Sequence, residues 1–315
     1  MFSFFLAFNF PLATLLSPLG TLAQDPRDAT VLRLEKMPAF FSGLNIFNTE
    51  EPCGGLNGLC VPRGYYQRHQ WGKIPVFCVE NATKPLVNET TYCSPYDVEV
   101  YNVSYDDCPD HPVTMCRCQN ASVSISQMHH DFGKVPVRAR QWIRAVKAIP
   151  DQSCNGHICI NGPCLSSTSV YLHEVGHSLD VVLGSQGRCV SDTDEWRDAV
   201  LNNDTCVPDG YSEASWHENF AQNTVIAAYH HTVRNIWDAY PGNASTGISC
   251  MKGALQKTID LTREIFVYKK GMSCDRTWTG PVTFVCMGPE ARKQGLCEGV
   301  EDSNIDWAKV TGTPV

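Results

Sequence analysis

The sequence predicts an α+β chain in two unlike parts, and three observations point there. Residues 24–136 are rich in Cys, Pro, Gly and Asn and carry only short strand-like runs. Residues 137–315 hold most of the helical periodicity, and sixteen cysteines are spread through both parts. The first part therefore reads as a disulfide-stapled, loop- and strand-rich N-terminal region, and the second as a mainly helical domain with a Cys-rich C-terminal tail.

The chain opens with MFSFFLAFNFPLATLLSPLGTLAQ, an apolar run broken by Asn9, Pro11 and Pro18 that ends in small residues near Ala23. This is the pattern of a secretory signal peptide over residues 1–23. A signal anchor is the alternative, but the prolines and Asn9 interrupt the ~20 residues a spanning helix needs. No later stretch is apolar for long enough to cross a membrane, so no membrane attachment is expected once the leader is cut. About 290 residues remain, enough for one large or two ordinary domains. An even count of sixteen cysteines implies an oxidising compartment. Sequons at Asn81, Asn88, Asn102, Asn120, Asn203 and Asn243 agree with it. The expectation is a secreted, extracellular glycoprotein, free or held at a cell wall or spore surface, with up to eight disulfides whose pairing sequence alone does not give. A formal charge of −8 without a long basic stretch excludes the polyanion affinity of a nucleic-acid binder.

Along the chain, residues 75–80 and 98–103 read as strands. In RARQWIRAVKAI the apolar Val137, Trp142, Ile143, Val146 and Ile149 recur at helical spacing, which predicts an amphipathic helix ending at Pro150. CNGHICINGPC sets Cys154, Cys159 and Cys164 in a tight loop. In an oxidising compartment these read as disulfide cysteines rather than a metal knot, as do Cys116 and Cys118. LSSTSVYLHEVGHSLDVVLG is a helix with Ser/Thr residues at 166–169 for a cap and Gly184 for a stop. Further helices start at SDTDEWRDAV and cover 215–231 and 250–268. The tail from residue 269 returns to loops.

HEVGH carries the chemistry. Residues four apart share a helix face, so His173 and His177 can each offer a ring nitrogen to one metal ion. Zinc suits neutral imidazoles. Leu172, Val175, Leu179 and Leu183 lie toward a different, core-facing side, so the histidines are not part of the apolar stripe. Glu174 falls beside the metal position, where a carboxylate can take a proton from an activated water. A catalytic zinc takes three protein ligands, so a third is needed. The metzincin histidine would stand six residues after His177, and that position is Leu183.

Glu195, Glu218 and His217 are the alternatives for the third ligand. Asp192 and Glu195 also read as a capping box, which explains Glu195 without a metal. Glu218 has Ala221, Gln222, Val225 and Ala228 on its helix face, and a carboxylate on a small, apolar face calls for a compensating cation. Asp180, one turn beyond His177, can either accept the free ring N–H of a ligating histidine or sit solvated near the helix end. His129, His130, His230 and His231 read as surface residues.

HEVGHSLD, followed about forty residues later by Tyr211-x6-Glu218-x-Phe220-Ala221, resembles the gluzincin pattern of lethal-factor-type and Pro-Pro endopeptidase metalloproteases. The mature chain as a whole resembles the fungal conidiation-specific protein 13 group. The first resemblance implies a zincin-like catalytic domain over 137–315 with one zinc ion on His173, His177 and Glu218. It also implies Glu174 as general base and Tyr211 as hydrogen-bond donor to the oxyanion. Gln222 stands where several members carry an acid, which puts any supporting role there in doubt. Two functions follow from the residues and the resemblances: a secreted zinc endopeptidase acting as a monomer on a protein or peptide substrate, or a non-catalytic spore-surface glycoprotein with a structural or vestigial metal site. The intact Glu174 favours the enzyme, since a structural site needs no base.

Overall fold

The structure is a computed structural model that describes residues 33–49, 54–79, 93–148, 158–160, 167–242, 247–269, 271–276 and 282–310. The expected leader, the sequons at Asn81, Asn88 and Asn243, and Cys154 and Cys164 lie outside the described residues.

In chain order the regular elements are β1 (Gly64–Arg68), β2 (Lys73–Pro75), α1 (Val76–Val79), β3 (Val98–Tyr105), β4 (Cys108–Cys118), α2 (Ile125–Gly133), α3 (Val137–Arg140), β5 (Ala145–Ala148), β6 (Ile158–Ile160), α4 (Thr168–Val182), α5 (Asp194–Asn203), α6 (Trp216–Thr232), α7 (Ile236–Ala239), α8 (Lys252–Phe266), β7 (Phe284–Cys286) and α9 (Pro289–Lys293). The architecture is mixed α+β, as the composition predicts. Val- and Tyr-rich VEVYNVSY forms the hairpin of β3 with β4 because β-branched and aromatic side chains fit a pleated, buried surface. The five-stranded sheet has the order β1-β3-β4-β5-β6. Its first three strands are antiparallel, and β5 and β6 add in parallel to β4. β2 and β7 form a separate antiparallel pair.

Two expectations are corrected. Residues 137–149 are not one helix, because α3 stops at Arg140 and 145–148 become β5. All four β5 residues are buried, Lys147 included, since the strand lies between two others. A strand covered on all sides shows no alternation that sequence periodicity can detect. The strand expected over 75–80 ends at Pro75, and Val76–Val79 turn into α1.

The sheet takes strands from both sides of position 136, and other links cross that position too. Leu34, Phe41, Leu44 and Phe47 are buried among the helices. The Phe47 ring lies 4.7 Å from Tyr229 of α6, and Phe41 lies 5.1 Å from Tyr240. Backbone bonds from Phe40 to Val207 and from Phe41 to Pro208 fix this segment. Among the described residues, five disulfides join Cys78–Cys116, Cys93–Cys118, Cys108–Cys274, Cys206–Cys250 and Cys286–Cys297. Cys116 and Cys118 are thus disulfide cysteines, as expected. Cys60 and Cys189 are free thiols. No helix among the described residues is long and apolar enough to cross a membrane.

Candidate metal centre

The centre is built where α4 crosses α6. Leu172, Val175 and Leu179 fix the roll of α4 by burying completely on the core side, while Val181 opposite is exposed. The N-terminus of α4 is satisfied differently from the expected Ser/Thr cap. Ser167 makes no side-chain cap bond. Asn57 Oδ1 instead accepts from the Thr168 N–H at 3.1 Å and Asn48 Oδ1 from the Ser169 N–H at 2.9 Å, so the N-terminal region closes the helix. The start of α6 is capped by Ser215, whose Oγ accepts from the Glu218 N–H at 3.1 Å and so fixes Glu218 in the first turn. The two helices approach closely because Gly176 has no side chain. A Cβ there would stand 2.8 Å from the Ala221 Cα and 3.1 Å from the Thr224 Cβ.

This crossing brings His173, His177 and Glu218 together. Their Nε2 atoms are 3.1 Å apart, and Glu218 Oε2 lies 3.1 Å from the first and 3.3 Å from the second. Ligands held ~2.0–2.2 Å from a tetrahedral zinc lie about 3.3–3.5 Å from one another, so the triangle has nearly the size of one face of such a polyhedron. Glu218 Oε2 is buried without a hydrogen-bond partner. A buried carboxylate oxygen whose neighbours are two imidazole nitrogens fits a shared cation. Glu195 points to solvent and pairs with Lys257. The cap of α5 is Thr193, not Asp192, with its Oγ1 accepting from the Trp196 N–H. His217 turns away from the triangle toward Asp180.

Gln222 supplies the contact that the sequence reading left in doubt. Its Oε1 lies 3.0 Å from His173 Nδ1, and its Nε2 donates to Asp209 Oδ2 at 2.7 Å. The amide oxygen can only accept, so His173 carries its proton on Nδ1 and keeps the Nε2 lone pair for a metal. Asp209 in turn caps the 3-10 turn Gly210–Glu213 through the Tyr211 and Ser212 N–H groups. One line of hydrogen bonds therefore runs from a histidine of the triangle to the turn that carries Tyr211. The only sequence signal for Gln222 was its place one turn after Glu218 on the same face.

Asp180 does not take the role of accepting from a ligating histidine. It is 1% exposed, its Oδ1 accepts from the Ser191 N–H at 2.8 Å, and its Oδ2 lies 2.9 Å from His217 Nδ1. The turn after α4 delivers Ser191 and the start of α6 delivers His217, which spacing along one helix does not reveal.

Tyr211 is 57% exposed, with its ring 5.5 Å from that of His173. Burial, with the charges of Glu218, Glu174 and Asp209 adding to it, raises its phenol and keeps the proton on the oxygen. Glu174 is pushed above the usual carboxylate range by burial, against the pull of the two histidines. Burial also raises Glu218, but the two imidazoles outweigh it and draw the group down to about 2. Burial lowers His173, yet Glu218, Glu174 and Gln222 together carry it above its ordinary value. In front of the triangle is a cleft of about 340 Å³ lined in part by Leu44, Val170, Glu174 and Tyr211. Among the described sequons, Asn120 and Asn203 are exposed, whereas Asn102 is half-buried in β3, between β1 and β4.

The family model described as conidiation-specific protein Con-13 matches residues 39–313. A conidiation-specific protein 13 of Neurospora crassa is 35% identical over 285 residues, covering 88% of this chain and 78% of the relative. The chain belongs to the Con-13 family. No solved structure matches it.

Proposed function

We propose that this chain is a secreted, zinc-dependent endopeptidase of gluzincin type that acts in conidiation. The observation that carries the reading is the buried Glu218 oxygen set 3.1 and 3.3 Å from two histidine nitrogens, with a carboxylate, Glu174, free of the triangle and lining the adjoining cleft. His173, His177 and Glu218 would hold the zinc, which supplies Lewis acidity toward a peptide carbonyl and a water. Glu174 accepts the water's proton and delivers it to the leaving amine. Tyr211 donates its O–H to the carbonyl oxygen as negative charge develops there. Gln222 holds His173 in the tautomer that leaves Nε2 free. A purely structural site would have no use for a base and a phenol at the same cleft, which favours this reading over a vestigial centre.

The test is metal removal. Dialysis of the purified chain against a chelator should abolish hydrolysis of a denatured protein, and added zinc should restore it. Hydrolysis that survives without metal would exclude the mechanism.

A further inference from the structure

Behind the proposed catalytic triangle, α4, the turn Val190–Asp192 and the start of α6 bring a second mixed set of ligand atoms together. A carboxylate oxygen of Asp180, the Cys189 Sγ and a ring nitrogen of His217 all lie within 4.8 Å of one another. We propose that Asp180, Cys189 and His217 form a second divalent-metal site, of thiolate–imidazole–carboxylate chemistry suited to zinc.

Three observations support it. Cys189 remains a thiol in a chain that commits ten described cysteines to disulfides. Sulfur with imidazole and carboxylate is a donor set that selects zinc rather than magnesium or calcium. The remaining atoms suit the arrangement as well. Asp180 is held by Ser191, whose N–H donates to Oδ1 at 2.8 Å and whose hydroxyl donates to Oδ2 at 2.6 Å, so the carboxylate is oriented with Oδ2 facing His217 Nδ1. His217 Nε2 faces Asp192 Oδ1 at 3.9 Å on the far side of the ring, where a carboxylate can receive its N–H once Nδ1 is a ligand. Arg197 steadies that carboxylate at 3.2 Å.

Asp180 Oδ2 and His217 Nδ1 are 2.9 Å apart. Zinc ligands sit about 3.3–3.7 Å apart, so this pair opens by a few tenths of an ångström and the thiol closes by at most about an ångström. Binding releases one or two protons. One is the thiol proton; the other is lost when the imidazole is protonated on both nitrogens beforehand, and otherwise the ring proton moves from Nδ1 to Nε2 and only one is released. Asp180 lies three residues after His177, and His217 directly precedes Glu218. An ion here would clamp α4 to α6 at the level of the catalytic triangle, so the inference also bears on how the proposed centre is kept in shape.

Titration of the metal-free full chain with Co²⁺ tests it, because the proposed catalytic triangle has no sulfur ligand. The native chain should develop a thiolate-to-cobalt charge-transfer band. Cys189→Ser should lose that band while keeping the ligand-field absorption of the first site. The His173→Ala, His177→Ala double variant should keep the charge-transfer band and bind one cobalt fewer. In case Cys189→Ser fails to fold, alkylation of native Cys189, read by peptide mass, should be blocked by Zn²⁺ and restored by chelator. Absence of the charge-transfer band, or a Cys189 that alkylates equally with and without Zn²⁺, would overturn the second site and leave the endopeptidase reading standing. A charge-transfer band that persists while the native chain and the double variant bind the same amount of cobalt would do the reverse.

Discussion

At the scale of single residues, the centre depends on groups whose freedom has been removed by their neighbours. Gln222 is the clearest case, because one amide serves both His173 and Asp209. Replacing it with alanine leaves the His173 ring free to turn and unties the Tyr211 turn. Gln222→Ala should therefore weaken zinc binding by about 10–100-fold, measured by competition with a chromophoric chelator. An affinity unchanged within about twofold would mean that packing alone orients His173. His173, His177 and Glu218 were legible because helical spacing aligns two of them and a small apolar face isolates the third. Gln222 and the true partners of Asp180 were not, since a neutral amide gives no charge signal and Ser191 and His217 reach Asp180 only through the fold.

At the scale of elements, the crossing of α4 and α6 matters most, and both ends of α6 carry polar devices. Ser215 caps its start. Near its end, His230 Nδ1 accepts the Ile236 N–H at 3.2 Å, so the ring is neutral in the folded chain. Burial, and next the charge of His231, hold its pKa below the ordinary 6.5. The unfolded chain then binds the proton more readily than the folded one. The stabilising contribution is complete above pH 6.5 and is lost as pH falls through the lowered folded-state value. Melting temperature should decline on acidification below 6.5, and His230→Gln should reduce that slope. An identical slope in the variant would remove His230 from the account. Apolar periodicity made α4, α6 and α8 readable with ends off by one or two residues, whereas α2 was not read and the caps of α4 and α5 came from other residues than expected. β5 was not readable, because AVKA has no strand pattern and its conformation is dictated by β4 and β6 on either side.

For the whole molecule, the N-terminal region is built into the helical half. Leu34, Phe41, Leu44 and Phe47 are buried there, Asn48 and Asn57 close α4, and Cys108–Cys274 ties sheet to tail. Burying a large apolar side chain is worth about 1.5–3 kcal/mol, so losing those four costs roughly 6–12 kcal/mol. That is comparable with the ~5–15 kcal/mol total stability of a typical domain. A chain lacking residues 24–48 should not accumulate as folded protein, checked by secretion yield and thermal melting. A truncated chain that melts cooperatively at the native temperature would show this segment to be a removable leader. Composition made the disulfide dependence legible, but the way the two regions share one sheet comes from strand pairing between distant segments, which local patterns do not encode.

The central claim is that the triangle of His173, His177 and Glu218 works with Glu174 as a hydrolytic centre, and Glu174→Gln tests it most directly. The amide keeps the size of the side chain but cannot accept a proton. At equal zinc occupancy, hydrolysis of a denatured protein by Glu174→Gln should fall by about 10²–10⁴-fold against the native chain. A variant that cleaves at the native rate, or a zinc-loaded native chain that cleaves no denatured protein, would contradict the account.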